Sequence, residues 1–172
     1  MTRVRPGRLD DVPAITAVYN HHVAHTVATF DLVEHDPQER ARTWFTAYDV
    51  SGPHRLLVAE EGGEVVGYAT SGRFRAKAAY DRTVETTVYV HPDHAGRGHG
   101  SRLYDALLDA MDEEGVHLCV AAIALPNPGS VALHESFGFR PVGVLTEVGH
   151  KLGRWVDVQW WQRVSPRDPL SR

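Results

Sequence analysis

Strand-like and helix-like patterns alternate along this chain and predict an α/β fold with α+β character. Its frame is one mixed central sheet of about seven strands flanked by about four helices. Three observations carry that expectation. The segment VYVHPDHAGRGHGS (88–101) runs from a β-branched stretch through Gly96, Gly98 and Gly100 directly into the helical pattern SRLYDALLDAM. RLLVAEEGGEVVGYATSGRF reads as two strands meeting at Gly62–Gly63. VHLCVAAIAL is a fully apolar run of strand type, which suits the centre of a sheet.

The elements follow in order. TRVRP alternates as a short strand. Asp10 or Asp11 then caps a helix with Pro13 in its first turn and an apolar face of Val12, Ile15, Val18 and Tyr19. His21, His22 and His25 prolong that helix or its end. DPQERARTWFTAY predicts a second helix, with Asp36 as N-cap and Glu39 in the capping-box position. The hairpin comes next, then the strand ETTVYV, the glycine turn and its helix, and the apolar strand. SVALHESFGF is a short helix ending at Gly138, and RPVGVLTEV and RWVDVQWWQRV are two late strands. Residues 1–164 read as a single domain without repeat or linker, and SPRDPLSR (165–172) as a short, polar, frayed tail.

At 172 residues the chain is long enough for one sizeable core, and its net charge of −4 supplies no basic footprint for nucleic acid. The single cysteine, Cys119, excludes an internal disulfide and fits a reducing, cytoplasmic compartment. MTRVRPGRLDD lacks the apolar core of a signal peptide, and no run reaches the ~18 apolar residues of a membrane span. His21 and His25 share an i, i+4 spacing that suits a metal. No carboxylate or cysteine follows in pattern, so no metal is expected.

A strand, a glycine turn and a helix start are the parts of a phosphate cradle. Glycines let amide N–H groups approach an anion, and the helix N-terminus adds its positive dipole end. A plain chain reversal would leave the same trace. The turn lacks the GxxxxGK[ST] pattern of nucleoside triphosphate sites. It also lacks the third glycine and later acid of a dinucleotide fingerprint. A pyrophosphate remains the natural guest, and coenzyme A the leading one.

The order of elements resembles the GNAT superfamily of N-acetyltransferases, and implies the GNAT acyltransferase fold. The resemblance rests on GRGHG after VYVHP, LPNPGS after the apolar strand, and LHESFGF at the helix end. YNHHV, FRAKAAYDRTVETTVYVHP, AAIALPNPGSVALHESFGF and VGHKLGRWVDVQWWQ look like the phosphinothricin and methionine sulfoximine N-acetyltransferases within it. This chain departs at Ala95, where the family turn often has Gln or Arg, and at Arg82, where herbicide-resistance members often have tryptophan.

The resemblance implies acetyl-CoA as co-substrate, a small polar amino acid as acceptor, and no metal. Glu85 would be the base that frees the amine, and His134, at the family's proton-donor place, would serve the leaving thiol. Val88, Tyr89 and Val90 would offer backbone groups to pantetheine, and Asn127 would reach the same arm while also reading as a helix N-cap. Ala95, Gly96, Arg97, Gly98, His99, Gly100 and Ser101 would hold the pyrophosphate. Arg73, Arg75 and Lys77 have the chemistry to bind substrate oxygens, unless they form a solvated face. Phe30, Phe74 and Tyr80 would wall the side-chain pocket unless they belong to the core. Cys119, mid-strand among apolar residues, makes direct transfer preferable to a thioester relay. Trp155, Trp160 and Trp161 offer aromatic surface that, with the resemblance, implies a homodimer. The competing expectations are transfer to another amine, such as an antibiotic or a protein N-terminus, and an acyl-CoA-binding module without catalysis.

Overall fold

The computed structural model describes residues 2–167. Its frame is a seven-stranded sheet in the order β1-β2-β3-β4-β5-β7-β6. The strands are β1 (Arg3–Pro6), β2 (Leu56–Glu61), β3 (Glu64–Arg73), β4 (Thr83–Val90), β5 (Leu118–Ala124), β6 (Arg140–Lys151) and β7 (Arg154–Val164). The helices are α1 (Val12–His25), α2 (Pro37–Thr43), α3 (His99–Glu113) and α4 (Pro128–Ser136). All strand pairs are antiparallel except β4 with β5.

Alternation along β2 feeds both layers, as a strand period of two requires. Leu57 and Ala59 pack with Leu103 and Leu107 of α3, whereas Leu56 and Val58 pack with Ile15 and Val18 of α1. The helices therefore cover opposite faces of the sheet. Beside them, Tyr104 and Met111 of α3 join Cys119, Ile123 and Phe139 in a second core.

Several local expectations are adjusted. Asp11 precedes α1 but makes no cap bond to it. Its carboxylate is gripped by both guanidinium nitrogens of Arg5, at 2.7 and 2.9 Å, and accepts the Arg8 N–H at 2.7 Å. The Asp36 cap forms as read, accepting from Glu39 N at 2.9 Å, but α2 stops at Thr43. Trp44 and Phe45 turn out of the helix to pack beside Ile15 and Tyr68. Strand β4 starts at Thr83, two residues before ETTVYV, and β6 continues past RPVGVLTEV to Lys151.

The late aromatics do not form one surface. Trp161 is buried in the core of β5 and α3, because β7 alternates, while Trp155 is 62% exposed. Of the tail, Ser165 is buried and donates its N–H to the His117 carbonyl; residues 168–172 lie outside the described residues. Among the described residues no helix is long and apolar enough to cross a membrane.

Two features position the site. Strands β4 and β5 pair only where Thr83, Val84 and Glu85 meet Leu118, Cys119 and Val120. Beyond Glu85 they part, while β4 stays bonded to β3 as far as Val90. The sheet thus forks at Glu85, and one backbone edge of β4 lies open. The second feature is Lys151, buried at the end of β6. Its ammonium donates to the Thr29 carbonyl at 2.7 Å and the His22 carbonyl at 3.4 Å, fastening the segment after α1 to β6. Burial holds this amine below the usual lysine range.

Candidate active site

Two cavities meet at β4. The first, about 650 Å³, fills the fork between β4 and β5 and reaches the glycine turn. Gly96 and Gly98 have φ of +74° and +79°, and Gly98 is the residue from which α3 starts. A Cβ there would meet nothing within 4 Å, so glycine is needed for its backbone conformation rather than for space. The N-terminus of α3 thereby opens onto the cavity with its first amides free of a side-chain cap. Val88, Tyr89, Val90, Ala95, Gly96, Gly98, His99, Gly100, Ser101 and Asn127 all line this space. Arg97 does not. It turns away, and its guanidinium stands 3.6 Å from the Glu61 carboxylate. Asn127 spends its side-chain oxygen as the cap of α4, accepting from Ser130 N at 3.1 Å.

Deep in the same cavity lies a polar chain that spacing alone does not reveal. His134 is buried, with Nδ1 2.7 Å from the Ser130 carbonyl and Nε2 2.8 Å from the Tyr104 hydroxyl. A carbonyl only accepts, so Nδ1 carries the proton and Nε2 accepts from Tyr104. The Tyr104 hydroxyl in turn lies 3.2 Å from the Thr86 hydroxyl. Burial pushes the His134 imidazole below the usual histidine range, against the Ser130 bond that favours its charge. His134 is therefore neutral here, and it borders the cavity together with Tyr104.

The second cavity, about 680 Å³, opens on the α1–α2 face of β4 and shares Thr87 and Tyr89 with the first. Glu85 lines it, half-buried at the fork. Desolvation raises the Glu85 pKa, with Arg75 pulling the other way. Across the cavity stands Arg40 of α2, 5% exposed, its guanidinium 4.7 Å from the Tyr19 ring centre and 4.0 Å from that of Trp44. Arg40 Nη1 is buried and has no hydrogen-bond partner. An unsatisfied buried guanidinium nitrogen facing a cavity is a ready donor for an anion.

The expected substrate group is divided. Arg73 lines this cavity, though its guanidinium also donates to the Arg75 and Ala76 carbonyls. Arg75, Lys77, Phe74, Tyr80 and Phe30 are not among its lining residues. Phe74 meets Tyr80 and Trp160 edge to face and carries Arg75 over its ring. Phe30 lies against Gly149, where a Cβ would stand 2.1 Å from its ring. Arg82 donates to the Gly115 carbonyl and lines neither cavity. Cys119 is buried in β5, and desolvation pushes its thiol up to about 12, which leaves it inert.

Sequence reasoning missed Arg40, Tyr104 and Tyr19. Arg40 and Tyr104 entered the sequence reading only as members of helical segments, with no role of their own. A buried arginine beside two aromatics is visible only once α2 meets α1 and β3.

A sheet forked beside a phosphate turn, with a carboxylate at the fork, defines a protein that binds an extended, phosphorylated carrier next to a second, smaller reactant. A model of the acetyltransferase (GNAT) family matches residues 17–139, and the chain belongs to that family of N-acetyltransferases. It is 50% identical over 163 residues to a phosphinothricin N-acetyltransferase of Streptomyces coelicolor, covering 94% of this chain and 95% of the relative. It is 41% identical over 152 residues to an L-methionine sulfoximine/L-methionine sulfone acetyltransferase of Salmonella typhimurium, covering 88% of each. A GNAT superfamily phosphinothricin acetyltransferase from Sinorhizobium meliloti, solved in complex with acetyl-CoA, matches with a TM-score of 0.91 at 30% identity. That match covers 99% of this chain and 92% of the other.

Proposed function

We propose that this protein moves the acetyl group of acetyl-CoA directly to the α-amine of a small polar amino acid. Methionine sulfoximine, methionine sulfone and phosphinothricin are the first substrates of that class, and masking their amine would detoxify them. The observation that carries this reading is Glu85. It is a half-buried carboxylate of raised pKa at the fork, facing an aromatic-lined cavity bordered by Arg40, whose buried Nη1 makes no hydrogen bond. The names of the relatives support the same substrate class.

The residues of the first cavity suit acetyl-CoA. The turn Gly96–Ser101 offers amides to the pyrophosphate, and the open edge of β4 offers backbone groups to the pantetheine arm. In the second cavity, Arg40 binds the carboxylate or the tetrahedral oxygens of the amino acid. Glu85 takes the proton of the substrate ammonium, leaving a free amine to attack the thioester carbonyl. As the C–S bond breaks, Tyr104 passes its hydroxyl proton to the departing sulfur, and the proton shed by the acylated nitrogen restores the Tyr104 hydroxyl. His134 acts through Tyr104, holding that hydroxyl in place. Cys119 takes no part, in keeping with direct transfer. Arg82 lines neither cavity, which leaves phosphinothricin within the proposed substrate class.

A homodimer belongs to the same reading. The edge strand β6 exposes Val142, Val144, Leu145 and Val148, and Leu152 and Trp155 extend this apolar strip. Light scattering of the purified chain reads its mass directly, and a monomer at all concentrations would remove this element. A cytoplasmic location fits the single thiol and the supply of acetyl-CoA.

Thiol release from acetyl-CoA tests the function, with methionine sulfoximine, phosphinothricin and a panel of other amines. Rapid release with the first two, lost in Glu85→Gln, is expected. Release only with other amines would discard the substrate class. Coenzyme binding without release under any condition would turn the site into a binding module.

A further inference from the structure

We infer that Glu61, His94 and His99 form a binding site for a first-row divalent metal ion, with zinc the best match. Glu61 is distant in sequence from His94 and His99, and the three come together at one end of the sheet. Glu61 is the last residue of β2, His94 lies in the single helical turn after β4, and His99 is the first residue of α3. Their ligating atoms all lie within 4.8 Å of one another.

The distances suit a small ion. Glu61 Oε2 is 3.2 Å from His94 Nδ1 and 3.7 Å from His99 Nε2. Tetrahedral zinc, with bonds of about 2.0–2.2 Å to nitrogen and oxygen, sets its ligands about 3.4 Å apart. The observed separations bracket that value, so the ion enters with shifts of a few tenths of an ångström on these two edges.

The independent sign of a missing partner is His99. Its side chain is 1% exposed, yet its Nε2 is buried without a hydrogen bond. The other ring nitrogen lies 3.1 Å from the Thr2 hydroxyl. Nε2 stands 3.7 Å from the Glu61 carboxylate, beyond hydrogen-bond reach. With Nδ1–H donating to Thr2, a cation between Nε2 and the carboxylate would satisfy both. The hydrogen bond on the far nitrogen is also the outer contact that metal-bound histidines use to fix their tautomer.

Two imidazoles and one carboxylate favour zinc, cobalt or nickel over magnesium or calcium, which prefer all-oxygen sites. Arg97 is the competitor, 3.6 Å from the same Glu61 oxygen. Its side chain is 57% exposed and leaves without breaking a packed contact. The ion would also fix the turn from His94 to His99, whose ends both border the first cavity.

The test uses the full chain, freed of metal with a chelator and titrated with zinc in competition with a chromophoric chelator. Cobalt titration reads the coordination through its visible absorption. One equivalent of zinc and a tetrahedral cobalt spectrum are expected. Glu61→Gln and His94→Ala should each weaken binding at least about tenfold. His21→Ala and His25→Ala, on the α1 pair, should leave it unchanged. Melting curves of each variant separate loss of binding from loss of fold, and the wild-type titration decides by itself if a variant fails to fold. No stoichiometric binding to wild type would overturn the site. So would binding that survives Glu61→Gln and His94→Ala but is lost in the α1 variants.

Discussion

The two cavities that meet at β4 are built from different parts of the chain. The cavity at the phosphate turn is made largely of backbone: the free edge of β4, the left-handed glycines 96 and 98, and the first turn of α3. Most of it comes from one stretch of sequence plus the facing β5 and α4, with His22 and Ala28 completing the wall. The aromatic cavity is made of side chains from α1, α2, β3 and β4, with Tyr19, Arg40 and Glu85 brought together across the sheet. The first design holds any ligand with a pyrophosphate and an extended arm. The second design selects, because its contacts to a ligand are made by individual side chains rather than by the backbone. A family that keeps one carrier and varies its acceptors is expected to divide its site in this way.

The sharpest way to break this comparison is at Glu85. Glu85→Gln should lower kcat about a thousandfold, within the range of general base catalysis, while the affinity for acetyl-CoA stays near wild type. The pH profile adds a sign. Burial raises the Glu85 pKa, and only the ionised carboxylate takes the proton. Activity should therefore fall as pH drops through a point above the ordinary glutamate range, and this limb should vanish in the variant. A limb retained in Glu85→Gln would assign the base to another group.

Arg40→Met comes next, with kcat/KM for the amino acid expected to drop about a hundredfold, the worth of a charge-assisted pair in a dry site. KM for acetyl-CoA should not move. Steady-state kinetics in both substrates check this, and an equal loss in both would merge the two cavities into one functional unit.

Gly98→Ala should act on the backbone cavity alone. A left-handed residue with a Cβ costs about 1–2 kcal/mol, so acetyl-CoA binding should weaken about tenfold with the amino-acid KM unchanged. Isothermal titration with acetyl-CoA reads it.

Asp112→Asn, remote from both cavities, sets the baseline. Burial alone would raise the Asp112 pKa, but the two bonds from Arg163, at 2.9 and 2.7 Å, hold it below the usual range. Its stabilisation is complete above the unfolded aspartate pKa and is lost as pH falls through the lower folded value. The variant should cost about 3 kcal/mol at neutral pH and less in acid, with kcat and both KM values unchanged. Thermal melts across pH read the difference.

Most of the architecture was legible in the sequence. The glycine turn, the Gly62–Gly63 hairpin, the Asp36 cap and the apolar β5 are local signals, each readable within about ten residues. Departures arose where tertiary packing overrode them: Trp44 and Phe45 cut α2 short to join the core, and Trp161 turned inward although its neighbours stay near the surface. The site divides along the same line. Ten of the residues assigned to the coenzyme border one cavity, since they follow one another along β4 and into α3 or cap α4. The residues chosen for the substrate scatter, because sequence nearness to Glu85 places Phe74, Arg75, Lys77 and Tyr80 on a neighbouring loop rather than in the cavity.

By itself the sequence determined the fold class and the phosphate turn, since hydrophobic period, glycine conformation and caps act over a few residues; Glu85 was singled out by the family resemblance. Only the tertiary structure decided that Arg40 would be buried with its Nη1 unbonded, that His134 would point its lone pair at Tyr104, and that Glu61, His94 and His99 would converge. Those outcomes depend on which faces of distant elements pack together, and burial, which sets the charge and the free bonds of each group, exists only after they do.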